Sequence, residues 1–149
     1  MIRFEVPGEP VAQGRPRVVQ TAAGPRGIDP RKSRSYKATV RLFAAHAYHD
    51  TPLEGPLMVY VDIYRQIQRT GSKKLKAAKL AGDVRPVVKP DIDNVFKAVT
   101  DACTGVIWKD DNQIVSTTIN KYYSDRPRVA VRVTEIRGEN HAGESTNRN

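Results

Sequence analysis

Several segments of the chain alternate between apolar and polar residues with the period of two that is typical of β-strands. Residues 2–6 show this alternation, and residues 57–65 show it most clearly, with an apolar face formed by Leu57, Val59, Val61 and Ile63. Residues 113–123 and 127–136 alternate in the same way, with a short polar turn between them. The pattern predicts four strands, the last two of which are expected to form a hairpin.

Helical spacing of apolar residues predicts two helices, and a run of lysines predicts a third. Ser33 and Ser35 are candidate caps for the first helix, which is expected to end near residue 49. Ser72 is a plausible cap for a short basic helix. The last helix is expected over 93–104, because apolar residues recur there at helical spacing and a glycine follows as a stop signal.

The remaining segments complete a single compact domain. Residues 7–30 are rich in Gly, Pro and Arg, which interrupt regular structure, so we expect a long, exposed basic loop. The element order favours an α+β domain over residues 1–137, with helices packed on a mixed sheet of roughly four strands. Residues 138–149 are polar, lack an apolar anchor and are expected to be a disordered tail.

The composition excludes several classes of protein. No apolar run approaches the roughly 20 residues that span a bilayer, and the amino terminus lacks the pattern of a signal peptide. We therefore expect a cytoplasmic protein with no membrane partner. Cys103 is the only cysteine, which excludes an internal disulfide, and its apolar neighbours favour core packing. His46 and His49 lack a third ligand nearby and are interpreted as an ordinary surface pair.

The positive charge of the chain is concentrated in its first part. The net charge is +9, and residues 1–90 carry 17 Lys and Arg against 7 Asp and Glu, whereas residues 91–149 carry 8 against 9. Such an excess favours a polyanionic partner, because phosphate neutralisation releases counterions. Charge alone is equally compatible with a basic protein that binds nothing in particular.

Two acidic clusters flank the last predicted helix. Asp91 and Asp93 precede it, and they can share a side only in an extended or capping geometry, because two residues two apart in a helix point in nearly opposite directions. Lys97 is four residues after Asp93 and is expected on the same face, one turn along. Asp110 and Asp111 follow the helix. Clustered carboxylates suit a hard cation such as Mg²⁺, which activates water and neutralises phosphate, so phosphodiester hydrolysis is the natural reaction.

Each acidic cluster also has a purely structural interpretation. An Asp-x-Asp-Asn sequence at a helix start can cap exposed amides and complement the helix dipole. Asp110 and Asp111 can likewise form only a polar turn. Lys97 and the basic first part of the chain favour a metal-binding catalytic site over these structural explanations.

The motifs around these residues resemble those of the RusA-like Holliday-junction resolvases, which occur in prophages and bacterial genomes. The resemblance rests on Lys-Pro-Asp-Ile-Asp-Asn-Val-Phe-Lys-Ala at 89–98, Asp101-Ala102, Gly105-Val106-Ile107-Trp108 and Asp110-Asp111-Asn112-Gln113-Ile114-Val115. It covers roughly residues 1–137. It implies a crossover junction endodeoxyribonuclease that resolves four-way junctions and other branched DNA in recombination and repair, with Mg²⁺ as cofactor and Mn²⁺ as an alternative.

The resemblance also assigns roles to particular residues. Asp91, Asp93 and Asp111 would bind the metal, Lys97 would be catalytic, and Asn94 and Asp110 would have supporting roles. Gly14-Arg15-Pro16-Arg17 is similar to a basic entry in many phage relatives and is a candidate for contact with DNA. The DNA-binding candidates are Arg15, Arg17, Lys73, Lys74 and Lys76. A homodimer is implied as well, and its two-fold symmetry would match the two strands that a junction resolvase cuts.

Two other classes of function stay open at this level. One is a non-catalytic basic module that binds DNA or RNA, whose acidic clusters are only caps and turns. Activity that is independent of metal would favour it. The other is a glycosyltransferase-like Asp-x-Asp site for a metal-bound nucleotide, but the chain is short and shows no nucleotide-binding element.

Overall fold

Six strands and three α-helices make up the part of the chain that the computed structural model describes, residues 1–137. In chain order they are β1 (Ile2–Pro7), β2 (Arg17–Thr21), β3 (Gly24–Ile28), α1 (Arg31–Ala47), β4 (Leu57–Gln66), α2 (Lys73–Ala81), α3 (Ile92–Cys103), β5 (Ile114–Ser124) and β6 (Arg128–Glu135). A short 3-10 helix, Asp111–Gln113, precedes β5. The expected disordered tail, 138–149, lies outside the described residues.

The central feature is a four-stranded sheet in the order β1-β6-β4-β5. β6 is antiparallel to both β1 and β4, whereas β5 is parallel to β4. The alternating apolar residues of β4 and β6 are buried in one cluster with those of α1 and α3. The prediction of an α+β domain with a mixed four-stranded sheet is confirmed, and it follows from burying one apolar face of the sheet under two amphipathic helices.

The expected hairpin between the last two strands is wrong. In the described sheet β4 lies between β5 and β6, with Gln66 beside Ser124 and Tyr64 beside Arg128. The short link after β5 therefore crosses the end of β4. Alternation along a strand shows which face is buried but not which neighbour it pairs with, and β4, with a buried apolar face along its length, forms ladders on both edges.

The expected long loop over 7–30 is also wrong in part. β2 and β3 pair as an antiparallel hairpin, with Arg17 opposite Ile28 and Val19 opposite Arg26. The strands of this hairpin are almost entirely exposed, so they lack the buried side chains that make alternation visible in sequence. The β-branched run Val18-Val19 was the available signal.

Helix starts were predicted with mixed success. α1 begins at Arg31 after Pro30, and Ser33 does not cap it, because its Oγ accepts a hydrogen bond from the backbone N of Gly14 at 2.8 Å. Ser72 does cap α2, accepting from the backbone N of Leu75 at 3.1 Å. α3 begins within one residue of the prediction.

Two further expectations concern the core and the membrane. Cys103 is fully buried in the apolar cluster, which confirms its role in packing. Burial raises the pKa of its thiol to about 12, since the charged thiolate is disfavoured away from water. Within residues 1–137, no helix is long and apolar enough to cross a membrane.

Candidate functional site

Asp91 and Asp93 lie at the start of α3, where both are exposed. Asp91 is the residue before the helix and is extended, yet among the described residues its side chain makes no capping bond to the helix amides. It accepts only a long hydrogen bond, 3.5 Å, from Nδ2 of Asn94. Asp91 thus has the extended, capping position expected from the sequence. Its side chain does not cap the helix, however, and it is exposed to solvent.

The segment that leads into α3 is fixed to the carboxyl ends of two strands. Nζ of Lys121 in β5 donates to the carbonyl oxygens of Val88 and Pro90 at 2.7 and 3.0 Å. Nε of Arg65 in β4 donates to the carbonyl oxygen of Lys89 at 2.9 Å. Asp91 therefore projects from a rigid support. Sequence reasoning missed Lys121 and Arg65, which bond backbone atoms and belong to no motif.

Lys97 lies on α3 and is mostly exposed. Its Nζ is 3.9 Å from the carboxylate of Asp101, one turn further along the helix. Asp101 is shared with Lys37 of α1, also at 3.9 Å, and Lys37 hydrogen-bonds Asp29. That bond holds the pKa of Asp29 below its usual value. The sequence motifs included Asp101 but gave no role to it, and they did not show Lys37 or Asp29.

In the second acidic cluster, Asp110 has a structural role, whereas the carboxylate of Asp111 is free to bind a ligand. Asp110 caps the 3-10 helix by accepting from the backbone N of Asn112 at 2.9 Å. Oε1 of Gln113 accepts in return from the backbone N of Asp110 at 2.8 Å. Asp111 is exposed and has no hydrogen-bonded partner for its side chain in the described part of the chain. The polar-turn interpretation holds for Asp110 and leaves Asp111 available.

Asp111 does not lie beside the other two carboxylates in the same chain. Asp91 and Asp93 begin α3 near the carboxyl end of β4, whereas Asp111 precedes Ile114, which pairs with Leu57 at the amino end of β4. The 12 residues of α3 span about 18 Å. Accordingly, no three His, Cys, Asp or Glu side chains are grouped as metal ligands within residues 1–137.

A basic groove adjoins Asp91. It has a volume of about 730 Å³, and its polar lining includes Asp91, Asn94, Arg15, Lys32, Arg65 and Lys89. Four cationic side chains therefore line the groove against two carboxylates, Asp91 and Glu9, a balance that favours a polyanionic ligand. Of the predicted DNA contacts, Arg15 lines this groove.

The other predicted DNA contacts lie elsewhere on the surface. Arg17 is on β2, and Lys73, Lys74 and Lys76 are on α2, which packs against β5. Lys79 of the same helix is buried, where it donates to Gln68 at 2.7 Å and lies over the ring of Tyr123. The imidazoles of His46 and His49 have centroids 6.3 Å apart at the surface.

A basic groove beside exposed carboxylates favours a polyanionic partner. The sequence model of the family described as Endodeoxyribonuclease RusA matches residues 7–134. The chain belongs to this RusA endodeoxyribonuclease family. It is also similar to a protein of Bacillus subtilis (strain 168) named "Uncharacterized protein YqaN", with 42% identity over 137 residues, which cover 91% of this chain and 96% of that protein.

Proposed function

We propose that this protein is a Mg²⁺-dependent endodeoxyribonuclease that cuts four-way junctions and other branched DNA during recombination and repair. One observation carries the proposal: Asp91 is held at the edge of a basic groove with its carboxylate free of any capping bond to the helix amides. Membership of an endodeoxyribonuclease family supports the reaction class.

The residues at the start of α3 fit a divalent cation. Mg²⁺ takes oxygen ligands and uses one or two carboxylates, with water and substrate phosphate in the remaining positions. Asp91 and Asp93 supply such oxygens at an exposed helix start. A Mg²⁺ ion held by Asp91 and Asp93 would supply positive charge to the phosphate and would lower the pKa of a bound water. Mn²⁺ offers the same preference for oxygen and is expected to substitute.

Asp111 joins this site only if a second copy supplies it. In one chain Asp91 precedes α3, which is about 18 Å long, whereas Asp111 comes after the helix and beside the amino end of β4. In the proposed homodimer, Asp111 of the partner subunit would complete the carboxylate set of Asp91 and Asp93. A two-fold axis generates two such sites, which matches the two symmetric cuts of junction resolution.

The basic side chains have positioning roles in this proposal. Arg15, Lys32, Arg65 and Lys89 line the groove and would hold the DNA backbone near Asp91. Lys97 would add positive charge to the transition state from the exposed face of α3, where its side chain is 62% exposed.

Cleavage of a labelled four-way junction and a matched linear duplex, with Mg²⁺ or EDTA, tests the activity. The wild type is expected to make paired cuts in the junction only, and only with Mg²⁺. Asp91→Asn should abolish them, whereas Asp83→Asn, an equal charge change at an exposed position away from the groove, should not. Binding without cutting in Mg²⁺ and Mn²⁺ would instead indicate a non-catalytic DNA-binding module.

Mixing two inactive variants tests whether the site is shared. A heterodimer of Asp91→Asn and Asp111→Asn chains has one site with both substitutions and one site with neither, if each site uses both subunits. Nicking should then return on mixing. If each chain holds its own complete site, every site keeps one substitution and the mixture stays inactive.

A further inference from the structure

The β2–β3 hairpin stands apart from the four-stranded sheet. Within residues 1–137 its strands pair only with each other, and nine of their ten residues are exposed. The exposed side chains include three large apolar ones, with Val18 at 76%, Val19 at 38% and Ile28 at 36%. An isolated two-stranded hairpin is marginally stable in water, so this element is suited to gaining contacts from a partner.

One face of the hairpin combines two arginines with two apolar side chains. Arg17 lies opposite Ile28, and Val19 lies opposite Arg26. Residues directly opposite share a face, and so do residues two apart, so these four side chains lie together with the arginines on a diagonal. Residues 10–28 contain three arginines and no Asp or Glu. The face therefore matches an anionic surface.

The base of the hairpin is fixed beside the α3 carboxylates. The backbone N of Gln13 donates to the carbonyl oxygen of Asn94 at 2.9 Å. Nε2 of Gln13 donates to Asp29 at 3.1 Å, which joins the segment before β2 to the residue after β3. Both ends of the hairpin are thus held at one place, three residues from Asp91 along α3. From there, five residues per strand extend about 17 Å.

We propose that the β2–β3 hairpin is a DNA-binding arm that contacts the phosphate backbone of a duplex flanking the cleaved bond through Arg17 and Arg26. The inference rests on the proposed function for the location of the cut. DNA fits better than a second copy of this chain, because the hairpins are cationic and two of them would repel. Val19 and Ile28 would pack against the sugars between the phosphate contacts.

The salt dependence of binding tests the arm without any need for cleavage. Affinity for a labelled four-way junction and a linear duplex would be measured in EDTA across a range of NaCl concentrations. In Arg17→Gln/Arg26→Gln, the negative slope of log affinity against log salt should become shallower by about 2, since each phosphate contact contributes about −0.9. Arg3→Gln/Arg137→Gln, which removes the same charge from exposed positions outside the hairpin, should leave the slope unchanged. Equal slopes in wild type and the hairpin variant would overturn the proposal.

Cross-linking supplies a measurement that keeps the arginines in place. Ala22 lies in the turn of the hairpin, and the only native cysteine, Cys103, is buried, so Ala22→Cys can be labelled selectively with a photoactivated cross-linker. Adducts to DNA are expected. Adducts only between two protein chains, or none at all, would refute the arm.

The two proposals fail in different ways. Normal cleavage by Asp91→Asn would defeat the metal site while leaving the salt slope of the hairpin variant informative. An unchanged salt slope would remove the arm while leaving magnesium-dependent cleavage intact.

Discussion

The Nζ atom of Lys97 lies 3.9 Å from the carboxylate of Asp101, one turn further along α3. This pairing directs the lysine towards the carboxyl end of the helix, away from the helix start that carries Asp93. Exposed pairs of this spacing contribute only about 0.3–0.5 kcal/mol, so Lys97 can leave Asp101 for a phosphate at little cost. The lysine is therefore exposed and only weakly held where it is.

Replacing Lys97 with alanine should slow cleavage strongly without affecting the fold. Loss of one charge that stabilises the transition state typically costs about 10²-fold in rate. Stability should change by no more than about 0.5 kcal/mol, because the side chain is exposed. Single-turnover cleavage and thermal melting check the two parts, and Lys97→Arg should retain more activity than Lys97→Ala. Unfolding of Lys97→Ala would show that the lysine is structural.

Removing a metal carboxylate should separate cleavage from binding. Asp91→Asn and Asp111→Asn are expected to abolish cleavage while DNA binding is preserved or tightened, because each substitution lessens repulsion of the phosphates. Anisotropy binding and gel-based cleavage on the same junction measure both. A variant that cuts at the wild-type rate would defeat the assignment of that residue.

The neighbouring residues Asp110 and Asp111 should respond in opposite ways. Asp110→Ala removes the cap of the 3-10 helix and should cost about 1 kcal/mol of stability. Asp111→Ala should leave the melting temperature nearly unchanged and remove activity. Denaturant unfolding of the two variants beside wild type provides the comparison, and equal destabilisation by both would contradict the division of roles.

The Asp29–Lys37 contact should make stability depend on pH in the acid range. The hydrogen bond from Lys37 lowers the pKa of Asp29 in the folded protein below its ordinary 3.8. The charged pair therefore stabilises the fold above that value, and the contribution is lost as pH falls through the lowered pKa. Melting curves between neutral and acid pH should show a smaller loss for Asp29→Asn than for wild type. Parallel losses would show that this pair does not contribute.

Cys103 should react with thiol reagents only after the domain unfolds. Its side chain is fully buried, and its pKa of about 12 keeps the thiol neutral near physiological pH. The rate of labelling in increasing denaturant should follow the unfolding transition measured by circular dichroism. Rapid labelling in native buffer would reveal local opening at the carboxyl end of α3.

Local patterns in the sequence predicted those parts of the fold whose causes are local. β4 was predictable because one face of a central strand is buried throughout. Ser72 caps its helix by accepting a hydrogen bond from the backbone N of Leu75, three residues away. Ser33 instead accepts from the backbone N of Gly14, 19 residues earlier in the chain. The pairing of β5 with β4 depends on which strands meet in three dimensions, and the sequence of β5 does not identify its neighbour.

The candidate site shows the same division. Asp91 and Asp93 are two residues apart, and their place at a helix start followed from the sequence. Their separation from Asp111 did not follow from the sequence, because it depends on where α3 ends relative to β4 in the folded chain. The roles of Arg65 and Lys121 in holding the segment before α3 were equally hidden, since both bond to backbone carbonyls.

The position of β6 has a consequence for how the protein is made. This last strand lies between β1, the first strand, and β4. During synthesis β1 has no neighbour in the sheet until residues 128–135 have left the ribosome. Until then, β1 and one edge of β4 have no hydrogen-bonding partner strand. The four-stranded sheet can therefore form only after β6 has been synthesised. A chain stopped before residue 128 lacks an interior strand and exposes the part of the domain most prone to aggregation.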